Sequence, residues 1–76
     1  MEKTLKELQP GESGVVYALE NEGSMRKRLL DIGLIFGTRV ECVGKSPFGD
    51  PSAYSIRGAI ICLRATESRQ IKIRTP

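Results

Sequence analysis

The sequence predicts a small, mainly β protein: a closed or half-closed barrel of five short strands, with one helix inserted between the first and second strands. Runs of β-forming residues recur at close spacing and are separated by turns that contain glycine or proline. Helical periodicity extends over more than two turns only in residues 24–32. Because five short strands have too many edges for one open layer, closure into a barrel is favoured.

The size and charge of the chain indicate one soluble domain. The chain has 76 residues, of which 39% are hydrophobic and 28% charged, and its formal net charge is +3. A chain of this length builds one small core, so we expect a single domain spanning residues 1–76. The longest apolar run, residues 59–63, is far shorter than the roughly 20 residues of a membrane helix, and no secretory signal is visible. We therefore expect a cytoplasmic protein.

The helix is predicted from the spacing of three apolar residues. Met25, Leu29 and Ile32 recur at i, i+4 and i+7, which places them on one face for burial against the barrel. Gly33 is expected to end the helix in a left-handed conformation, with Leu34 folding back toward Leu29. Residues 35–38 are then expected to form a tight turn.

Local patterns place the other elements. Strands are expected at residues 13–20, 38–46, 54–57, 60–63 and 71–74, and short helical turns at residues 4–7 and 66–69. Two prolines and a glycine within residues 47–51 predict a rigid exposed turn between the second and third strands.

Several apolar residues near the helix end do not fit into one small core. Leu30 projects away from the buried helix face, and three consecutive apolar residues, Leu34, Ile35 and Phe36, follow the end of the helix. We predict an exposed apolar patch rimmed by arginine, a composition that suits a protein partner. For Leu34 and Ile35 the alternative is that they pack on each other as a lid. The predicted partner-binding residues are Arg26, Arg28, Leu30, Leu34, Ile35 and Phe36.

The sequence argues against catalysis and against a dedicated metal site. It contains no histidine, no elbow-type serine motif and no carboxylate pair at a diagnostic spacing. Cys42 and Cys62 lie in strand-like runs without CxxC spacing, so we expect both to be buried thiols and not metal ligands. No catalytic residue, metal ligand or cofactor is predicted.

A nucleic-acid-binding barrel is the alternative hypothesis. The triplet Arg26-Lys27-Arg28 is basic enough to contact phosphate. Barrels that bind nucleic acid usually combine basic residues with aromatic side chains on the sheet, but this chain has only four aromatic residues, two of them in turns. We therefore expect no nucleic-acid partner.

Four motifs cover nearly the whole chain in order. They are RLLDIGL at residues 28–34 with Gly37-Thr38, PFGDP at residues 47–51, Arg57-Gly58 with Leu63-Arg64, and IKI at residues 71–73. Together they resemble the FeoA family, small SH3-like barrels that accompany the FeoB ferrous iron transporter in bacteria. The family usually has proline where Phe36 stands, so this chain has an additional aromatic ring in that turn.

The resemblance implies a non-catalytic, cytoplasmic accessory protein of ferrous iron uptake. Such a protein would bind the cytoplasmic part of a FeoB-type transporter and would reach the membrane only through that partner. Self-association and transition-metal binding remain open. Because the same barrel also occurs as a C-terminal module of iron-dependent repressors, a repressor-associated or nucleic-acid-binding module is the alternative.

Overall fold

The computed structural model describes residues 2–75, which form a six-stranded antiparallel sheet with two short α-helices and one 3-10 helix. The strands are β1 (Glu2–Thr4), β2 (Ser13–Leu19), β3 (Arg39–Lys45), β4 (Ser52–Ile56), β5 (Ala59–Leu63) and β6 (Ile71–Arg74). The helices are the 3-10 helix Leu5–Glu7, α1 (Gly23–Asp31) and α2 (Ala65–Ser68). The strand order is β1-β6-β2-β3-β4-β5.

The mainly β architecture is confirmed, but the expected number of strands is wrong by one. The five predicted strands correspond to β2–β6, with α1 between β2 and β3 as predicted. The additional strand β1 pairs with β6, so that Glu2 lies opposite Arg74 and Thr4 opposite Lys72. The three residues of β1 have no apolar alternation and pair only with a distant segment, so local pattern does not reveal this strand.

One hydrophobic cluster lies inside the curved sheet. Buried and less buried residues alternate along β4, as expected for a strand with one face toward a core. Strands β2 to β6 all contribute to the same cluster, so the sheet curls into a half-closed barrel whose unpaired edges within residues 2–75 are β1 and β5. The buried members are Leu5, Leu8, Val16, Leu29, Leu34, Val40, Cys42, Tyr54, Ile56, Leu63, Ile71 and Ile73.

The Tyr54 side chain connects the sheet to the 3-10 helix. Its ring is fully buried, and its hydroxyl lies 3.5 Å from the Leu5 carbonyl oxygen, which accepts the hydrogen bond. Burial raises the pKa of the Tyr54 phenol above its ordinary value. The buried Tyr54 hydroxyl is therefore neutral and donates its proton to the hydrogen bond with Leu5.

Helix α1 packs on the cluster through the face that the sequence predicts. Leu29 is fully buried, and Met25 and Ile32 are partly buried against the cluster. The helix ends as expected from Gly33, which has φ +102°. The Gly33 amide donates to the Leu30 carbonyl and the Leu34 amide to the Leu29 carbonyl, both at 3.0 Å. These two bonds form a Schellman motif, which satisfies carbonyl groups left free at a helix end.

The expectation of two buried thiols is confirmed for Cys42 and wrong for Cys62. Cys42 is fully buried in β3, whereas Cys62 is exposed in the edge strand β5. Because side chains alternate along a strand, Cys62 shares the outer face with Ile60, while the adjacent Leu63 is buried. An edge strand with one covered face leaves every second side chain in solvent.

The turn at residues 47–51 is exposed, as predicted, and is also linked to α2. The Ser46 hydroxyl accepts the Asp50 amide at 3.0 Å and donates to the Asp50 carbonyl at 2.8 Å. The Asp50 carboxylate accepts the Ala65 amide at 2.8 Å, which satisfies a free donor at the start of α2. Within residues 2–75, no helix is both long and apolar enough to cross a membrane.

The adjacent residues Leu34 and Ile35 provide a matched test of this packing. Leu34 is fully buried and Ile35 is 46% exposed. We expect Leu34→Ala to lower the free energy of unfolding by about 2–5 kcal/mol, because it removes buried methyl groups and leaves a cavity. We expect Ile35→Ala to change it by less than about 0.5 kcal/mol. Urea denaturation followed by circular dichroism measures both, and equal losses in the two variants would contradict the packing described here.

Candidate partner-binding surface

Three exposed apolar side chains lie within seven consecutive residues at the end of α1. Leu30 is 39% exposed, Ile35 46% and Phe36 81%. We call these three residues the helix-end patch. Their exposure leaves apolar surface in water without an obvious structural benefit, and such surface commonly marks a site for another molecule.

Hydrogen bonds constrain the backbone of the turn that bears Ile35 and Phe36. The Ile35 amide donates to the Gly33 carbonyl at 2.9 Å, and the Thr38 amide donates to the Ile35 carbonyl at 3.1 Å. The Thr38 hydroxyl also donates to the Gly33 carbonyl at 2.9 Å. Gly37 has φ +90°, which glycine adopts without steric cost. A tight, internally bonded turn therefore presents Ile35 and Phe36 with little conformational freedom.

Leu34 does not belong to this surface, which corrects the sequence prediction. Its side chain is fully buried in the cluster that also contains Leu29. The Schellman motif turns the residue after Gly33 back toward the last helical turns, so its side chain enters the core. Ile35, the other residue of the alternative lid, is 46% exposed.

Arg26 and Arg28 both make contacts within the chain. The Arg26 guanidinium donates to the Leu19 carbonyl at 2.6 Å, which connects α1 to the end of β2. The Arg28 guanidinium lies 3.6 Å from the Glu67 carboxylate in α2. The predicted patch residues are thus separated into two groups, since both arginines have structural partners while Leu30, Ile35 and Phe36 face solvent.

Arg57 is a residue near this surface that sequence reasoning did not select. The stem of its side chain crosses Gly33, since a Cβ atom at Gly33 would lie 2.5 Å from Arg57 Cδ and 3.4 Å from Nε. Gly33 lies between Leu30 and Ile35 in the chain, so Arg57 reaches the helix-end patch from the β4–β5 turn. The available signal was the pair Arg57-Gly58 between two predicted strands, because a residue followed by glycine is typical of a two-residue hairpin turn.

The other exposed large apolar residues belong to four different elements. Val15 lies in β2, Val43 in β3 and Ile60 in β5, while Phe48 lies in the turn at residues 47–51. Val43 lies on the same face of β3 as Arg39 and Glu41, opposite to the buried Val40 and Cys42, so its exposure follows from the alternation of the strand. Isolated exposed apolar residues are normal on protein surfaces. Within residues 2–75, only the helix-end patch brings three of them into one short segment.

Residues 2–75 contain no group of three or more Asp, Glu and Cys side chains placed to hold a metal ion. The chain has no histidine, and the buried thiol of Cys42 and the exposed thiol of Cys62 point to opposite sides of the sheet.

The fold and the surface together define a class of protein. The chain forms a small antiparallel barrel of the SH3-like kind, and three large apolar side chains are exposed at the end of its helix α1. The FeoA domain model matches residues 3–75, and the chain belongs to the FeoA family.

Known proteins resemble the chain in sequence and in structure. A fusion protein of Fe(2+) transport protein A and Fe(2+) transporter FeoB from Porphyromonas gingivalis is 32% identical over 69 residues, which cover 91% of this chain and 8% of the fusion protein. The chain thus spans a small fraction of that relative. The FeoA protein from Chlorobium tepidum has a TM-score of 0.89 and 29% identity, over 95% of this chain and 69% of that protein. FeoA from Stenotrophomonas maltophilia, complexed with zinc and described as a prokaryotic SH3 domain protein, has a TM-score of 0.82 and 27% identity, over 92% of this chain and 87% of that protein.

Removal of Arg26 tests whether this side chain has a structural role. We expect Arg26→Ala to lower the free energy of unfolding by about 1 kcal/mol, because it deletes a charge-assisted hydrogen bond between α1 and β2. Lys27→Ala is the control, because it removes the same charge from an exposed residue that forms no ion pair within residues 2–75; its expected effect is below about 0.5 kcal/mol. Urea denaturation measures both. If Arg26→Ala is as stable as Lys27→Ala, Arg26 is free to contact a partner instead.

Proposed function

We propose that this chain is a non-catalytic accessory protein of ferrous iron uptake, which acts in the cytoplasm. In this proposal it binds the cytoplasmic part of a FeoB-type transporter and regulates or assembles that transporter. The helix-end patch of Leu30, Ile35 and Phe36 is the contact surface. The chain reaches the membrane only through this partner.

The exposure of the helix-end patch is the observation that supports this proposal most directly. Leu30 lies at the end of α1, and Ile35 and Phe36 project from the following turn. Three hydrogen bonds close this turn, two of them to the Gly33 carbonyl and one from the Thr38 amide to the Ile35 carbonyl. Rigid aromatic and aliphatic residues lose little conformational entropy on binding and often provide most of the binding energy of an interface. Phe36 is the most exposed of the three and is therefore the expected anchor.

The choice of partner rests on the family and on one relative. The chain belongs to the FeoA family, and in the Porphyromonas gingivalis protein a related segment is part of the same polypeptide as a FeoB transporter. Domains that are fused in one protein often bind each other when their homologues are separate chains in another organism. This association supports a direct contact between this chain and a FeoB-type transporter.

The charges around the patch favour a protein partner over nucleic acid. Two of the three basic residues in the triplet at residues 26–28 are engaged within the chain, Arg26 with a backbone carbonyl and Arg28 with Glu67. Nucleic-acid binding requires free cations that neutralise phosphates. Within this triplet only Lys27 is left without an internal contact, and the adjacent apolar surface is better matched to a protein partner.

The two exposed phenylalanines allow a matched test of the proposed contact. Phe36 is 81% exposed and Phe48 is 94% exposed, and they lie in turns at opposite ends of β3, about 20 Å apart along a seven-residue strand. We expect Phe36→Asp to weaken binding to the cytoplasmic part of the transporter from the same organism at least about tenfold. Phe48→Asp is expected to bind normally. Isothermal titration of the purified proteins measures both affinities, and circular dichroism melts verify that both variants fold.

The same titration distinguishes the proposal from its alternatives. Equal weakening by the two substitutions would place the contact elsewhere on the surface. If the wild-type chain does not bind the transporter but binds duplex DNA with an affinity that falls steeply between about 50 and 200 mM salt, the nucleic-acid alternative replaces the proposal.

A further inference from the structure

We infer that Arg57 is a further binding residue of the same surface, and that its guanidinium binds a carboxylate on the partner beside the apolar contact. This inference rests on the proposed function, since it names the chemistry that the partner must present next to the helix-end patch. It depends on three features of Arg57, namely its backbone conformation, its packing on Gly33 and its lack of an internal partner.

The backbone conformation of Arg57 is unfavourable for an arginine. Arg57 and Gly58 form the two-residue turn of the β4–β5 hairpin, because Ile56 pairs directly with Ala59. Their φ angles are +50° and +87°, the pattern of a type I′ turn. Glycine, asparagine and aspartate suit the first position of this turn, whereas other residues are strained at positive φ. Within residues 2–75, Arg57 is the only non-glycine residue with positive φ.

The local fold gains little from this strain. The turn itself would form more easily with asparagine or glycine at position 57. Backbone strain of this kind persists where the surrounding structure tolerates it, and it is concentrated at functional sites. The benefit of an arginine at this position must therefore come from its side chain.

The Arg57 side chain is placed by Gly33. A Cβ atom at position 33 would lie 2.5 Å from Arg57 Cδ, so the absence of a side chain on Gly33 provides the space through which the stem passes. The same glycine closes α1 and connects Leu30 to Ile35. One residue thus fixes both the helix-end patch and the course of the Arg57 side chain.

The Arg57 guanidinium has no partner within residues 2–75. The ion pairs in this part of the chain join Arg28 to Glu67, Arg39 to Glu41, Lys72 to Glu20 and Arg74 to Glu2. The exposed Arg57 side chain takes part in none of these ion pairs and in no hydrogen bond. It does not pair with the carboxylate of Asp31 either, although Asp31 lies only two positions before Gly33. Its donors therefore remain available to a second molecule.

The chemistry of this arrangement specifies the partner. A guanidinium is planar and presents two parallel donors, which match a carboxylate in a bidentate hydrogen bond. Next to three exposed apolar side chains, it fits a partner segment with a large apolar residue flanked by aspartate or glutamate. The net charge of +3 favours approach of such an acidic segment.

Substitution of Arg57 by glycine separates binding from stability. Because glycine suits the positive φ, we expect Arg57→Gly to melt at the same temperature as the wild type or higher. We expect the same variant to bind the cytoplasmic part of the transporter about tenfold more weakly at about 50 mM NaCl, and to show a smaller salt dependence of binding. Arg57→Lys keeps the charge but not the planar donor pair, so an intermediate affinity is expected. Lys6→Gln, in the 3-10 helix, removes one charge elsewhere and should bind like the wild type.

The outcomes are distinct. Weaker binding by Arg57→Gly with an unchanged or raised melting temperature supports the inference. If Arg57→Gly binds like the wild type, the inference is wrong while the proposed function stands. If, in addition, this variant melts at a lower temperature than the wild type, Arg57 stabilises the end of the helix and does not bind the partner. If the wild-type chain does not bind the transporter even at about 50 mM NaCl, the proposed function and this inference are both wrong.

Discussion

The left-handed turn at Gly33 connects the helix to the barrel, and the surface next to it depends on the same turn. Two backbone hydrogen bonds close α1 there, from Gly33 to Leu30 and from Leu34 to Leu29. A residue with a Cβ atom would be strained at φ +102° and would also collide with the Arg57 stem. Because the turn reverses the chain within a few residues, Leu34 enters the core while Leu30 and Ile35 remain at the surface.

The basic residues of the chain have different electrostatic roles. Arg26 and Arg28 connect α1 to β2 and α2, so their charge stabilises the relative positions of three elements. Both pairs are at least partly exposed, and interactions of this kind contribute modestly to stability because water and salt screen them. Their main effect is geometric, since they orient the helix whose end bears the apolar surface.

Periodicity in the sequence was sufficient to predict the elements in which apolar residues recur at regular spacing. The spacing of Met25, Leu29 and Ile32 gave the buried face of α1, and the glycine after them gave the end of the helix. Exposure at single positions was harder to predict, because Leu34 and Ile35 are adjacent and chemically similar yet lie on opposite sides of the turn. Cys62 followed the alternation of its strand, but its expected burial came from the general behaviour of cysteine and was wrong.

Contacts between distant segments could not be predicted from local pattern. The first strand, β1, exists only through pairing with β6, about seventy residues later in the chain. The Arg26 contact with Leu19, the Asp50 contact with Ala65 and the Arg57 contact with Gly33 each join different elements. A local signal was present only for Arg57, whose position in a two-residue turn is unusual for arginine. The direction of the Arg57 side chain toward α1 can be seen only in the three-dimensional structure, because it depends on where the β4–β5 hairpin lies relative to the helix.

The pairing of β1 with β6 also affects how the barrel can be joined to other polypeptides. Glu2 and Arg74 are direct neighbours across these two antiparallel strands, so the two ends of the described chain leave the barrel side by side. A domain whose ends are adjacent can be attached to, or inserted into, a longer protein through short linkers without disturbing its core. This geometry is compatible with the occurrence of a related segment in a much longer fusion protein. Covalent tethering of this kind raises the effective concentration of two partners, so a surface with only modest intrinsic affinity is sufficient for them to remain associated.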